Sequence, residues 1–324
     1  MKSPLISIAI TTYDRKELLI ETIRSVLDQS ITDIEIIVGN DNISRKVDEV
    51  YTGIKDPRIR YINNERNLGE WPNLQHLFNI STGYYFTSLA DDDLYNKNFL
   101  KEIQQIINKY NFPECIYTSF TEVKADFDLI LSEDTLDDEM TGEVFLEKYI
   151  KHELKAMGNC GIFKRETLRK LGGIADWDTK SYADTWMTFY LAANVGRIIY
   201  INKPMIYFRH HEGSLSSNIL SIREWMRSQQ ELIEKMRKLI KSKFPEKTEK
   251  YMYHILNFWC VSSFYYRVLK VKGFNLLLCR EYLQMIFTYY SSLGKFRPKF
   301  VMELTKKMIF FFLIKLFKRR NAIE

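Results

Sequence analysis

The chain has 324 residues, 46% of them hydrophobic and 27% charged, which excludes wholesale disorder and leaves material for a sizeable core. Its four cysteines, Cys115, Cys160, Cys260 and Cys279, show no CxxC spacing and no histidine at metal spacing, which excludes a disulfide scaffold and a cysteine-based zinc site. The net charge is +6, but nine Lys and Arg against one acid, Glu303, lie between Lys295 and Arg320, so the excess is local and a nucleic-acid partner for the whole chain is not expected.

Leu5 to Ile10 is an apolar run that reads as a strand. The first ten residues carry no charged-then-apolar arrangement, so secretion is not expected and a cytoplasmic location is. Asp14 is placed to cap a helix, with Glu17 as its capping-box partner. Leu19, Ile23, Val26 and Leu27 form the apolar face of that helix. Further apolar runs follow at Ile34 to Val38, Ile59 to Ile62 and Tyr84 to Leu89. Helical patterns cover Asn73 to Ile80 and Phe99 to Tyr110. Strand and helix alternating at this spacing predict a mostly parallel sheet with helices on both faces, whose ligands bind beyond the C-terminal strand ends. Residues 133 to 143 are acidic and are expected to be a solvated loop. A helical pattern resumes at Asp184 to Ala193, and after Ser217 the chain reads as helical almost to its end.

Four polar clusters stand where such a sheet binds ligands. Thr11-Thr12-Tyr13-Asp14-Arg15 offers a hydroxyl, an aromatic face and a cation, suited to a base and a phosphate, or to a plain turn and cap. Asn40-Asp41-Asn42 offers a carboxylate for a base or ribose, or an Asx turn. Asp91-Asp92-Asp93 is the strongest signal. Three adjacent carboxylates repel one another unless a cation neutralises them, and hard oxygen ligands suit Mg²⁺ or Mn²⁺ together with phosphate oxygens. Asp184 opens a helix beside Trp186 and Phe189, as a general base or as an N-cap.

In this order the motifs ISIAITTYDR, IEIIVGND, NERNLG, GYYFTSLADDDLY, GNCGIFKRE with LGG, ADTWMTFYLA and YFRHHEGSLS resemble an inverting family 2 glycosyltransferase over about residues 4 to 217. The resemblance implies a Rossmann-like GT-A fold and a nucleotide-diphosphate sugar donor, usually a UDP-sugar. It implies that Thr11, Tyr13 and Arg15 border the base and diphosphate and that Asp41 holds the base or ribose. The triplet would be the DxD-type element, with Asp91 towards the ribose and Asp92 or Asp93 towards the metal. Asp184 would be the catalytic base, and His210 or His211 would approach the metal or diphosphate. Ala90 stands where the family often has a further aspartate, so the metal-ligand register is open by one residue. Asn73-Leu74-Gln75 replaces a common Ala-Arg-Asn. The QxxRW of processive members is absent and Tyr207-Phe208-Arg209-His210 stands instead, which implies one sugar per event.

Two domains are expected: a catalytic domain over 1–215 and a helical region over 216–324. Within the latter, Met308 to Ile314 is apolar and flanked by Lys306, Lys307, Lys315, Lys318, Arg319 and Arg320. It is too short to span a bilayer, which takes about 20 residues. A basic helix with bulky apolar residues suits the surface of an anionic membrane, here the inner face of the cell membrane. The expected function is transfer of one sugar to a hydroxyl of a glycan or lipid-linked acceptor in surface polysaccharide synthesis. Its rivals are a sugar-phosphate nucleotidyltransferase, which would want a glycine-rich phosphate loop that TTYDRKE lacks, and a non-catalytic nucleotide-sugar-binding or membrane-scaffold protein.

Overall fold

A computed structural model describes residues 3–124, 137–174, 182–210, 222–260 and 276–320. The chain divides into two compact units. One comprises residues 1–145, 154–178 and 183–218; the other comprises 146–153, 179–182 and 219–324.

The first unit is built on one mixed sheet. In chain order its elements are β1 (Ile6–Thr12), α1 (Lys16–Leu27), β2 (Ile34–Asn40), α2 (Glu49–Thr52), β3 (Ile59–Asn63), α3 (Glu70–Ile80), β4 (Tyr85–Ala90), β5 (Leu94–Tyr95), α4 (Phe99–Lys109), β6 (Cys115–Lys124), β7 (Asp137–Thr141), α5 (Gly142–Ile150), β8 (Gly161–Lys164), α6 (Arg165–Lys170), α7 (Ala183–Asn194) and β9 (Arg197–His210). From Leu146 onward, α5 counts with the second unit. The strand order is β3-β2-β1-β4-β8-β6-β9-β5, and β7 pairs with β9. The ladders β2–β3, β1–β2, β1–β4 and β6–β9 are parallel. The shorter ladders of β8, β5 and β7 are antiparallel.

Both faces of the sheet are covered, as the continuous apolar runs require. On one face Ile8, Ile10, Ile36 and Val38 share a buried cluster with Leu19 and Ile23 of α1 and Ile103 of α4. On the other face α3 closes on β2. Phe78 meets Phe86 edge-on with ring centroids 5.1 Å apart, and Asn73 Nδ2 donates to the Gly39 carbonyl at 2.9 Å. A Cβ at Gly39 would stand 2.6 Å from Asn73 Oδ1 and 2.8 Å from a Leu77 methyl. Glycine at that point lets the helix reach the strand.

Two local expectations are corrected. Asp14 does not cap α1. It sits at a left-handed φ of 57° and its carboxylate accepts from Arg45 Nη1 at 2.7 Å, while the cap position, Arg15, makes no side-chain cap bond. The acidic stretch is also not all loop. Asp137 to Thr141 forms β7, antiparallel to β9, and 142 and 143 open α5; residues 133–136 lie outside the described residues. Lys109 reaches Asp137 at 2.8 Å and Arg197 pairs with Glu139. Cations from distant elements thus offset the charge that the local composition shows.

The second unit is helical, with α8 (Ile222–Lys243), α9 (Thr248–His254), a π-helical turn (Ile255–Cys260) and helices Leu276–Thr288 and Arg297–Arg320. Trp225 stacks on Tyr282 at 5.6 Å, and the Tyr282 hydroxyl donates to the Cys260 carbonyl at 2.8 Å. All four cysteines are buried and free. No helix among the described residues is long and apolar enough to cross a membrane.

Candidate active site

The parallel ladders bring three strand ends level. Thr11 pairs with Gly39 and with Ala90, and Thr12 pairs with Asn40. The residues that follow each strand therefore converge on one opening, a cavity of about 620 Å³. Thr11, Tyr13, Arg15, Asp41, Asp91, Asp92, Asp93 and Asp184 all line it. His211 lies outside the described residues, and His210 is described only as the last backbone position of β9.

The first and third clusters interlock. Thr12 Oγ1 donates to Asp91 Oδ2 at 2.6 Å. Arg15 Nη1 bridges Asp91 at 3.0 Å and Asp92 at 2.8 Å. The side chain expected beside a phosphate is thus held by two carboxylates. Asp91 and Asp93 are buried. Burial raises the Asp91 pKa, opposed by the Thr12 hydrogen bond and the Arg15 charge. Burial, then the neighbouring Asp92, pushes Asp93 up to about 8.

Asp41 organises a loop. Its carboxylate accepts from Gly69 N at 2.7 Å, Leu68 N at 3.2 Å and Asn64 Nδ2 at 2.7 Å. The backbone of the NERNLG segment is thereby fastened to the end of β2, a role that spacing alone does not reveal.

Asp184 lies inside the first turn of α7, which begins at Ala183, so the N-cap alternative falls away. Its carboxylate accepts the backbone N–H of Asn159, and burial pushes its pKa up to about 6 despite that bond. The turn Gly158–Cys160 comes very close to it. A Cβ at Gly158 would stand 3.0 Å from Asp184 Oδ1, 3.2 Å from its Cα and 2.7 Å from Met187 Sδ.

Sequence reasoning missed Glu70, Glu122, Asn159 and Arg209, which line the same cavity. Glu70 is exposed at the start of α3. Partial desolvation at the cavity wall, then the charges of Asp184, Asp92 and Asp91, raises its pKa to about 7. Its available signal was its position directly after the Asp41-bound loop, at the start of α3. The donor set is hard, oxygen-based and overloaded with negative charge, which suits a divalent cation. No group of three or more His, Cys, Asp or Glu among the described residues is placed to hold a metal ion. That is compatible with a cation that takes one or two carboxylates and completes its shell from phosphate oxygens.

Comparison with known proteins bears on this geometry. The family model described as Glycosyl transferase family 2 matches residues 7–170, a stretch that includes the triplet and ends before Asp184. A Campylobacter jejuni protein named GalNAc(5)-diNAcBac-PP-undecaprenol beta-1,3-glucosyltransferase is 28% identical over 130 residues, 38% of this chain and 42% of that one. The glycosyltransferase GlyG of Streptococcus pneumoniae is 22% identical over 225 residues, 66% of this chain and 73% of that one. The first curated relatives are matched over only 34% to 42% of their own length. Among solved structures, S. aureus TarS residues 1–349 in complex with UDP-GlcNAc superposes with a TM-score of 0.69 at 17% identity, covering 98% of this chain and 92% of that one. That likeness extends the shared GT-A fold beyond the family match, to the mixed sheet and the helical C-terminal region together. The chain belongs to glycosyl transferase family 2.

Proposed function

We propose that this protein is an inverting glycosyltransferase that moves one sugar from a nucleotide-diphosphate donor, probed first as a UDP-sugar, to a hydroxyl of a glycan or lipid-linked acceptor in surface polysaccharide synthesis. The observation that carries the reading is the meeting in one cavity of the Asp91–Asp93 turn and Asp184, groups about ninety residues apart in sequence. Names of relatives support it: an undecaprenol-linked glucosyltransferase and a TarS complex with UDP-GlcNAc.

In this reading Thr11, Tyr13 and Asp41 border the nucleoside, the last through the loop it fastens. Asp91 faces the ribose side. Asp92 and Asp93, with His211, would hold Mg²⁺ or Mn²⁺, which when bound supplies charge neutralisation for the leaving diphosphate. Asp184 accepts the proton of the acceptor hydroxyl. The hydroxyl oxygen bonds to the anomeric carbon, the bond from that carbon to the diphosphate oxygen breaks, and the electron pair leaves on the diphosphate. Attack opposite to departure inverts the centre. A pKa near 6 leaves Asp184 mostly ionised at neutral pH yet more basic than an ordinary carboxylate, which suits a general base. Residues 1–215 would carry the chemistry, and 216–324 would rest on the inner face of the cell membrane through the basic C-terminal helix.

The test joins a thermal-shift screen of nucleotide sugars with Mn²⁺ to turnover of the donor that binds. Bound donor raises the melting temperature. Asp184→Asn is expected to keep that rise and to lose transfer by about 10²–10⁴. Full transfer by the variant would remove Asp184 as base, and a screen with no stabilising nucleotide sugar would remove the donor class.

A further inference from the structure

The Asp91–Asp93 turn is gripped by two residues that do not resemble site residues in the sequence, Thr22 in the core and Arg209 at the cavity wall. Thr22 lies on the buried face of α1 between Leu19 and Ile23 and is fully buried. Its hydroxyl is 2.9 Å from the Asp91 carbonyl oxygen and 2.8 Å from that of Asp93. Arg209 is also buried. Its backbone N–H donates to Asp93 Oδ1 at 3.2 Å, and its Nε donates to the Asp92 carbonyl. Its guanidinium is anchored in turn on Glu21 and on the Leu18 carbonyl, the latter at 3.3 Å, with the Thr22 hydroxyl 3.4 Å away. The Asp92 carbonyl is therefore held from β9, and the single Thr22 hydroxyl proton, within reach of both the Asp91 and the Asp93 carbonyls, holds one of them at a time from α1.

Strand register explains why Arg209 is the residue in place. The antiparallel pairs Leu94 with Tyr207 and Tyr95 with Ile206, continued by two positions, set Arg209 opposite Asp92. Three adjacent carboxylates would otherwise splay apart. A turn whose backbone is already satisfied does not have to be ordered when a ligand arrives, and preorganisation of this kind is what fixes a catalytic constellation.

Resting on the glycosyltransferase reading of the cavity, we infer that Thr22 and Arg209 are positioning residues that fix the backbone of the Asp91–Asp93 turn and thereby aim its carboxylates into the cavity. Neither is required to touch donor or acceptor.

The test uses the full chain with Thr22→Val, Thr22→Ser, Arg209→Gln and wild type. Amide exchange is read at Asp93, whose N–H bonds the Ala90 carbonyl at 3.1 Å, and at Tyr95, whose N–H bonds Ser25 Oγ at 3.3 Å. Thr22→Val and Arg209→Gln are expected to speed exchange there by about tenfold, with β2 and β3 unchanged. With the donor found by the screen, Thr22→Val is expected to lower kcat by about 10²-fold at unchanged acceptor KM, as a misplaced group does, and Thr22→Ser is expected to restore both readouts. Unchanged exchange at Asp93 and Tyr95 in Thr22→Val would overturn the inference, as would a loss of kcat that Thr22→Ser does not restore. Should Arg209→Gln not fold, the Thr22 pair decides alone. If wild type turns over no nucleotide sugar while Thr22→Val still loosens the turn and Thr22→Ser restores it, the clamp stands and the glycosyltransferase reading falls.

Discussion

At the scale of residues, the cavity gathers acids whose pKa values are raised, Asp93 and Glu70 in part by neighbouring carboxylates and Asp184 by desolvation alone. Asp93 is pushed to about 8, Glu70 to about 7 and Asp184 to about 6, loss of hydration being the leading cause in each. An acid whose folded pKa is raised binds more protons in the native than in the unfolded state. Its contribution to stability is present at low pH and is lost as pH rises through the folded value. The metal-free protein is therefore expected to lose melting temperature between about pH 5 and about pH 8, and Mn²⁺ is expected to return more of it at the upper end than at the lower. Calorimetric melts with chelator and with Mn²⁺ check this, and an equal metal effect at both ends would separate the acids from the cation. The acids that follow apolar runs were legible because a strand end announces where its next residues go. Glu122 and Arg209 were not, because nothing in their own neighbourhoods says that a distant strand delivers them to the same opening, and Glu70 becomes legible only once Asp41 is known to fasten the loop before it.

At the scale of elements, β1 to β4, α1, α3 and α4 could be read from the chain because each carries its own periodicity. β7 and β8 could not. β8 is four residues long and joins β4 to β6 only through pairing with both, and β7 is an acidic segment that becomes a strand because β9 lies beside it. The turn at Gly158–Cys160 shows what such long-range placement does for chemistry. It leads into β8, donates an N–H to Asp184 and leaves no room for a side chain at Gly158. Gly158→Ala is expected to shift the carboxylate and lower kcat by about 10²-fold while the donor-induced thermal shift persists. Steady-state kinetics beside that thermal shift distinguish a displaced base from a lost binding site.

For the whole molecule, the charge is unevenly held, with nine cations against one acid between Lys295 and Arg320. The helix Arg297–Arg320 presents Val301, Met302 and Ile309 to solvent along with Lys306, a mixture suited to anionic lipid headgroups. Liposomes containing anionic lipid are expected to float the full chain and to lose it when residues 295–324 are removed or when salt is raised, whereas equal flotation of both forms would count against this end as the anchor. The sheet itself ends on a quieter safeguard. β7 is paired through β9 alone among the described residues, and a strand with one side unclaimed is an invitation for another molecule to add itself. The residues there are Asp137, Asp138 and Glu139. Lys109 and Arg197 pair with the first and last of them, yet a strand adding there would still have to strip water from charged side chains along that edge, so the acidic run that looked like idle loop is expected to discourage crowded copies from zipping into fibres.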